Sequence, residues 1–185
     1  MKTDKFSAII DGRYFREGAD KIEFAVGGTE KLKMKTIVID LDGTLANIDH
    51  RLPFIKRESP DWDSFYSACD GDKVNEWCKI LMENLNVSDI FITIVSGRRK
   101  AEENKTKEWL MDNSVSYDSL NLLREDGDFT PDTELKKKWL HEYGHENILF
   151  VVDDRQKVVD MWRKEGVVCL QCYQWEEYKR KKEEK

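Results

Sequence analysis

TIVIDLDGTLA, residues 36–46, drives an apolar run straight into two carboxylates. Ile37, Val38, Ile39 and Leu41 surround Asp40 and Asp42, and Gly43 and Thr44 follow at once. The run reads as a strand, continuous in its apolar character as strands buried on both faces are. Burying a carboxylate is costly unless something pairs with it. A metal ion, a reaction, or both would supply the reason.

Outward from this stretch, short apolar runs alternate with helical patterns. DKVNEWCKILMENL carries helical spacing through Val74, Trp77, Ile80, Leu81 and Leu85. IFITIVS is a strand, AEENKTKEWLMDN a helix and SLNLL a short strand. PDTELKKKWLHEY opens a helix on a proline. NILFVVDD is a strand, RQKVVDMWRKEG a helix closed by glycine, and VVCLQCY the last strand. Such alternation predicts an α/β fold, a parallel sheet with helices on both faces. Ligands then bind at the carboxyl ends of the strands. Those ends carry Asp40 and Asp42, Ser96 and Arg98, Arg124, and Asp153, Asp154 and Arg155, while Lys136 lies early in the proline-started helix.

The chain has 185 residues, enough for one domain with a small appendage. Charged residues make up 37%, so the surface is densely charged, yet the formal net charge is -6. Proteins that coat nucleic acid are usually basic, so any contact with it here is local. No apolar stretch reaches the length of a membrane span, and the first residues show no signal-peptide core. The four cysteines include a C-x-x-C at Cys169 and Cys172, but strand periodicity sends that pair to opposite faces. Reduced thiols in a cytoplasmic protein are expected. Residues 1–33 stand apart as an extension in which FSAIIDGRYF and KIEFAVGG read as short strands, possible partners in a β-hairpin. Residues 34–175 form the main domain, with 46–72 as a small cap segment, and 176–185 are a polar tail.

Carboxylates without a histidine or cysteine ligand make a hard, oxygen-rich site suited to Mg²⁺. Lys136, Ser96 and Arg98 add donors for an anion. An aspartate can attack phosphorus as a nucleophile, and a second acid can move the proton of the leaving oxygen and of the attacking water. Gly43 allows the turn that would let Asp40 and Asp42 divide those roles.

The ordered set DLDGTLA, VSGR, a lysine after PDTEL, and VVDDR resembles the haloacid dehalogenase (HAD) superfamily of phosphotransferases. RLPF, PDWDSFYSACDGDKVNEW, LLREDGDFTPDTELKKKWL and DDRQKVVDMWRKEGVVCLQ bring it closer, to the 3′-phosphatase domain of bacteriophage-type polynucleotide kinases. That resemblance implies a HAD-like domain and a role in nucleic-acid end repair. It implies Asp40 as nucleophile and Asp42 as general acid/base. It implies Ser96 and Lys136 as holders of the phosphoryl group, and Asp40, Asp42 (through its carbonyl), Asp153 and Asp154 as the Mg²⁺ site. It implies Arg51 and Arg98 as substrate contacts, with Thr44 donating to the phosphate; Arg124 and Arg155, read from their places at strand ends, either contact the substrate or pair with the acids. No G-x-x-x-x-G-K-[ST] occurs, so the kinase half has no counterpart here. The substrate is therefore a phosphorylated polynucleotide end or, as the alternative, a free (deoxy)mononucleotide; a non-catalytic binding module is disfavoured because every acid of the set is present. Trp77, Trp109, Trp139 and Trp162 fall on helical apolar faces and read as core, whereas Trp62 and Phe65 are the candidates for base stacking.

Overall fold

The computed structural model describes residues 8–10, 13–15, 35–85 and 90–173. KIEFAVGG and the tail 176–185 lie outside the described residues. The chain divides into two compact units, Met1–Met34 and Lys35–Lys185. In the first, β1 (Ala8–Ile10) pairs antiparallel with β2 (Arg13–Phe15).

The second unit starts with β3 (Lys35–Ile39). A small excursion follows, opened by β4 (Ala46–Asn47), built from α1 (Leu52–Ile55) and α2 (Trp62–Ser67), and closed by β5 (Lys73–Val74). Then come α3 (Glu76–Leu85), β6 (Ile90–Arg99), α4 (Glu103–Asp112) and β7 (Ser119–Arg124). The chain returns through α5 (Asp132–Tyr143), β8 (Ile148–Asp153), α6 (Gln156–Lys164) and β9 (Cys169–Gln171). The main sheet runs β7-β6-β3-β8-β9, and its pairings are all parallel. This is the α/β architecture that the strand-helix alternation predicts.

Period-two alternation sorts the strand residues onto two faces. Ile37, Ile39, Ile92, Ile94 and Val152 pack with Cys78 and Met82 of α3 and Trp109 and Leu110 of α4. Val38, Val95 and Val151 pack with Leu140 of α5 and Val158, Val159 and Trp162 of α6. Cys169 joins the second cluster and Cys172 the first, on opposite faces of the sheet as the spacing requires, and both thiols are free. The sheet starts at its middle strand, β3, extends through β6 to β7 and then continues on the other side at β8. The carboxyl ends of β3 and β8 therefore flank the switch point, where such sheets bind ligands.

Two sequence expectations change. Lys73 and Val74 are not helical; they pair with Asn47 and Ala46 and close the excursion. The apolar face of α3 is also rotated from the one its spacing suggests. Trp77 and Ile80 are exposed, whereas Cys78 and Met82 are buried, with Leu81 and Leu85 packed beside them. The helix is apolar on more than one side, and only the sheet decides which side is covered. Among the described residues no helix is long and apolar enough to cross a membrane.

Candidate active site

Asp40 follows directly on β3, and its backbone N–H donates to the Val152 carbonyl at 2.9 Å, which seats it beside the end of β8. The chain then turns sharply. Gly43 N–H donates to the Ala46 carbonyl and Ala46 N–H to that of Leu41, at 2.9 and 2.8 Å. Gly43 has φ +94°, and a Cβ there would meet Asp154 Oδ2 at 2.2 Å. Glycine is thus required both for the left-handed backbone and for the approach of the carboxylate. Asn75 pins the turn, donating from its amide to the Thr44 carbonyl and from its backbone to that of Leu45, each at 2.8 Å.

The turn separates the two acids. Asp40, Asp153 and Asp154, all buried, each present a carboxylate oxygen, and these oxygens lie within 4.8 Å of one another. Lys136, one turn into α5, reaches across to donate to Asp40 Oδ1 at 2.5 Å and Asp153 Oδ2 at 2.7 Å. Asp153 also accepts from the Arg155 backbone N–H at 3.2 Å and from the Trp162 indole at 3.3 Å. Burial, reinforced by Asp153 and Asp154, outweighs Lys136 and pushes the Asp40 carboxyl well above its ordinary range. Burial disfavours the Lys136 charge, but Asp153 and Asp40 overrule it and raise the ammonium above the usual lysine value. Three acids around one ammonium leave an excess of negative charge, which a divalent cation would offset.

Asp42 points elsewhere. Its carboxylate accepts from Arg51 Nη2 at 2.5 Å and from Arg98 Nη2. Both guanidinium groups are fully buried and meet a second acid, Asp72. Arg51 grips Asp72 through Nε and Nη2, each at 2.7 Å, and Arg98 Nη2 reaches it at 3.1 Å. Arg51 also lies 4.4 Å from the Phe65 ring centroid, and Arg98 donates to the Thr106 hydroxyl at 3.0 Å. Burial favours a neutral Asp42, yet Arg98 and Arg51 prevail and hold it well below the usual carboxylate range. Asp72 is raised by desolvation despite Arg51.

A cavity of about 690 Å³ opens over these groups. Asp40, Asp42, Ser96, Asp154, Arg124 and Arg155 line it, so six of the residues singled out in the sequence face one space. Lys136 and Asp153 stand directly behind Asp40. Arg51, Arg98 and Thr44 do not line the cavity. The two arginines engage Asp42 from its buried side, and the Thr44 hydroxyl accepts from the Cys172 thiol at 3.6 Å. Asp132, the first residue of α5, gathers Arg124 and Arg155 on its carboxylate. Gly97 makes room for it, since a Cβ there would meet Asp132 Oδ1 at 2.4 Å. Asp72, Asp132 and Arg99 were not among the residues singled out. Asp72 is one acid among many, and Asp132 reads as an ordinary acid in a first helical turn. Arg99 pairs with Asp63 of α2 at 2.6 Å and Glu102 at 2.7 Å, which fastens the excursion to the end of β6.

Residues 34–176 match the family described as polynucleotide kinase PNKP phosphatase domain. Among solved structures, a chain of the Pnkp1/Rnl/Hen1 RNA repair complex is similar, with a TM-score of 0.67 and 25% identity over 90% of this chain and 51% of that one. A chain of a Pnkp1/Rnl/Hen1 complex matches at the same TM-score and 24% identity, over 95% of this chain and 57% of that one. The present chain thus spans about half the length of these relatives. A haloacid dehalogenase-like hydrolase from Streptococcus pneumoniae shares the fold, with a TM-score of 0.52 and 16% identity over 75% of this chain and 84% of that one. With the family match running through every strand of the sheet, the chain belongs to the polynucleotide kinase phosphatase-domain family and is a HAD phosphatase.

Proposed function

We infer that the protein is a Mg²⁺-dependent phosphomonoesterase that removes the 3′-phosphate from polynucleotide ends through an aspartyl-phosphate, as a cytoplasmic enzyme of nucleic-acid end repair. The observation that carries this reading is the separation of the two acids. Asp40 joins two further carboxylates and a lysine, while Asp42 faces the same cavity from a different charge environment. Two carboxylates with unlike surroundings can take unlike roles.

The all-oxygen set of Asp40, Asp153 and Asp154 fits Mg²⁺. Bound there, the ion would neutralise the acids and polarise a phosphoryl oxygen. An Asp40 oxygen attacks phosphorus, and the bond from phosphorus to the 3′-oxygen breaks. Asp42 delivers a proton to that leaving oxygen. Water then loses its proton to Asp42 and attacks the phosphoryl group, and the bond to Asp40 breaks, freeing phosphate. Arg51 and Arg98 hold Asp42 in the ionised form that the second step needs. For the first step Asp42 must carry a proton, and the negative charge of an arriving phosphate favours it. Ser96 and Lys136 are suited to holding phosphoryl oxygens, with Arg124 and Arg155 contributing charge at the cavity wall.

A panel of 3′-phosphorylated oligonucleotides, 3′-mononucleotides and 5′-mononucleotides tests the substrate. The oligonucleotide should have the highest kcat/KM. Preference for 5′-mononucleotides would replace this reading with that of a nucleotidase.

A further inference from the structure

The excursion after β3 presents an aromatic side chain to the cavity that the phosphoryl chemistry leaves unused. Trp62 begins α2 and lines the same space as Asp40 and Ser96. It is 43% exposed, although tryptophan is mostly buried in cores. Its neighbours hold it in place. Tyr66, one turn on, stacks with it at 6.1 Å between centroids and 29° between planes, and Phe65 meets it edge-on at 5.8 Å. Tyr66 is itself covered by Arg99 at 4.8 Å from its centroid. The Asp61 side chain caps the helix, accepting from Ser64 N–H at 3.0 Å, which fixes the turn that carries the ring. Phe65 borders the same cavity but is 5% exposed, its ring covered by Arg51, which leaves it no open face for a base. Ile48, Leu52 and Ile55 extend the wall with apolar surface, and the loop after β7 adds Phe129, 84% exposed.

We propose that Trp62, backed by Tyr66, is the stacking platform for the nucleobase of the terminal nucleotide, with Phe129 as a second aromatic contact in the same cavity. The occupant follows from continuity. A phosphate at Asp40 belongs to a group whose next portion must fill the rest of the cavity, whose wall sets the rings of Trp62, Tyr66 and Phe129 and the aliphatic Ile48, Leu52 and Ile55 beside its charged groups. A flat, apolar body carried close to a phosphate is a nucleobase. Stacking on an aromatic ring is tolerant of sequence because every base has a π-face, so Trp62 confers a requirement for a base without choosing among bases. The proposal rests on the nucleic-acid reading of the site.

The test compares one oligonucleotide bearing a 3′-phosphate on a normal terminal nucleotide with the same oligonucleotide ending in an abasic 3′-phosphorylated sugar. Both are assayed with the wild-type protein, Trp62→Ala and Trp62→Phe. The ratio of kcat/KM between base-bearing and abasic substrates should fall about tenfold in Trp62→Ala, chiefly through KM, and largely recover in Trp62→Phe. A general disturbance of the excursion would lower both substrates together and leave the ratio unchanged, which overturns the proposal. A wild-type ratio near one also overturns it. If 5′-mononucleotides prove to be the preferred substrates, the polynucleotide reading fails by itself; the same ratio, measured with a mononucleotide and its base-free sugar phosphate, then decides the role of Trp62 separately.

Discussion

Asp42 owes its charge to two arginines that never reach the cavity wall. Arg51 and Arg98 are buried between Asp42, at the cavity, and Asp72, behind it, so two cations and two acids form one ion-paired group, which His50 Nε2 joins at Asp72 at 2.9 Å. Removing one member leaves buried carboxylates short of a partner, which costs roughly 3–5 kcal/mol. Arg51→Ala should therefore lower stability by about that amount in denaturant titrations. It should also reduce hydrolysis of oligonucleotides and mononucleotides by the same factor, because Arg51 acts through Asp42. A selective loss on oligonucleotides would instead place Arg51 against the nucleic-acid strand. At the reacting centre, Asp40→Asn should abolish turnover, since it removes the attacking oxygen at constant volume. Asp42→Asn should lower kcat by about 10²- to 10⁴-fold through loss of proton transfer. Single-turnover assays read both, and substantial activity in Asp40→Asn would exclude the covalent route.

Lys136 illustrates what a helix contributes. Three lysines follow one another at 136–138, and the rotation of α5 turns only the first toward Asp40 and Asp153. Lys137 pairs with Glu165 and Lys138 with Glu142, both away from the buried acids. The rotation of α3 matters in the same way for stability. Met82 is 1% exposed against the sheet and Ile80 is 53% exposed. Met82→Ala should cost about 2–5 kcal/mol, while Ile80→Ala should stay within about 0.5 kcal/mol. Equilibrium urea unfolding of the two variants measures the contrast. Equal losses would mean that the helix buries the face carrying Trp77 and Ile80.

The protein as a whole is acidic, with a net charge of -6, and the cations of the cavity wall, Arg99, Arg124, Arg155 and Lys157, share it with Asp40, Asp42, Asp128, Asp132 and Asp154. Attraction of a nucleic-acid end is therefore local and open to screening. The advantage of an oligonucleotide over a mononucleotide should shrink as ionic strength rises from about 0.05 to 0.5 M, because the screening length falls to a few ångströms. Steady-state kinetics across that range checks it, and an advantage independent of salt would assign the preference to stacking alone. The carboxylate triad makes a second expectation. Activity should vanish in chelator and return with Mg²⁺, while Ca²⁺, which favours more ligands and looser geometry, should inhibit. Full activity after exhaustive chelation would remove the metal from the reaction.

Strand-helix alternation and the polar residues closing each strand were legible in the sequence, because local periodicity and apolar runs encode buried parallel strands directly. The resemblance carried by DLDGT, SGR and VVDDR pointed to the acids of the site by position in the chain. Only the tertiary structure decided which of those residues share a charge environment. Asp40 and Asp42 are two positions apart, yet the turn at Gly43 sends one toward Lys136 and the other toward Arg51 and Arg98. Asp72 and Asp132 could not be distinguished from surface acids, since nothing in a sequence of 37 acidic residues marks the ones that will be buried. Likewise Trp62 and Phe65 were equivalent until packing buried Phe65 beneath Arg51 and left Trp62 largely exposed at the cavity that both border. Burial and ion pairing depend on contacts between distant segments, and those exist only once the sheet has brought its strand ends together.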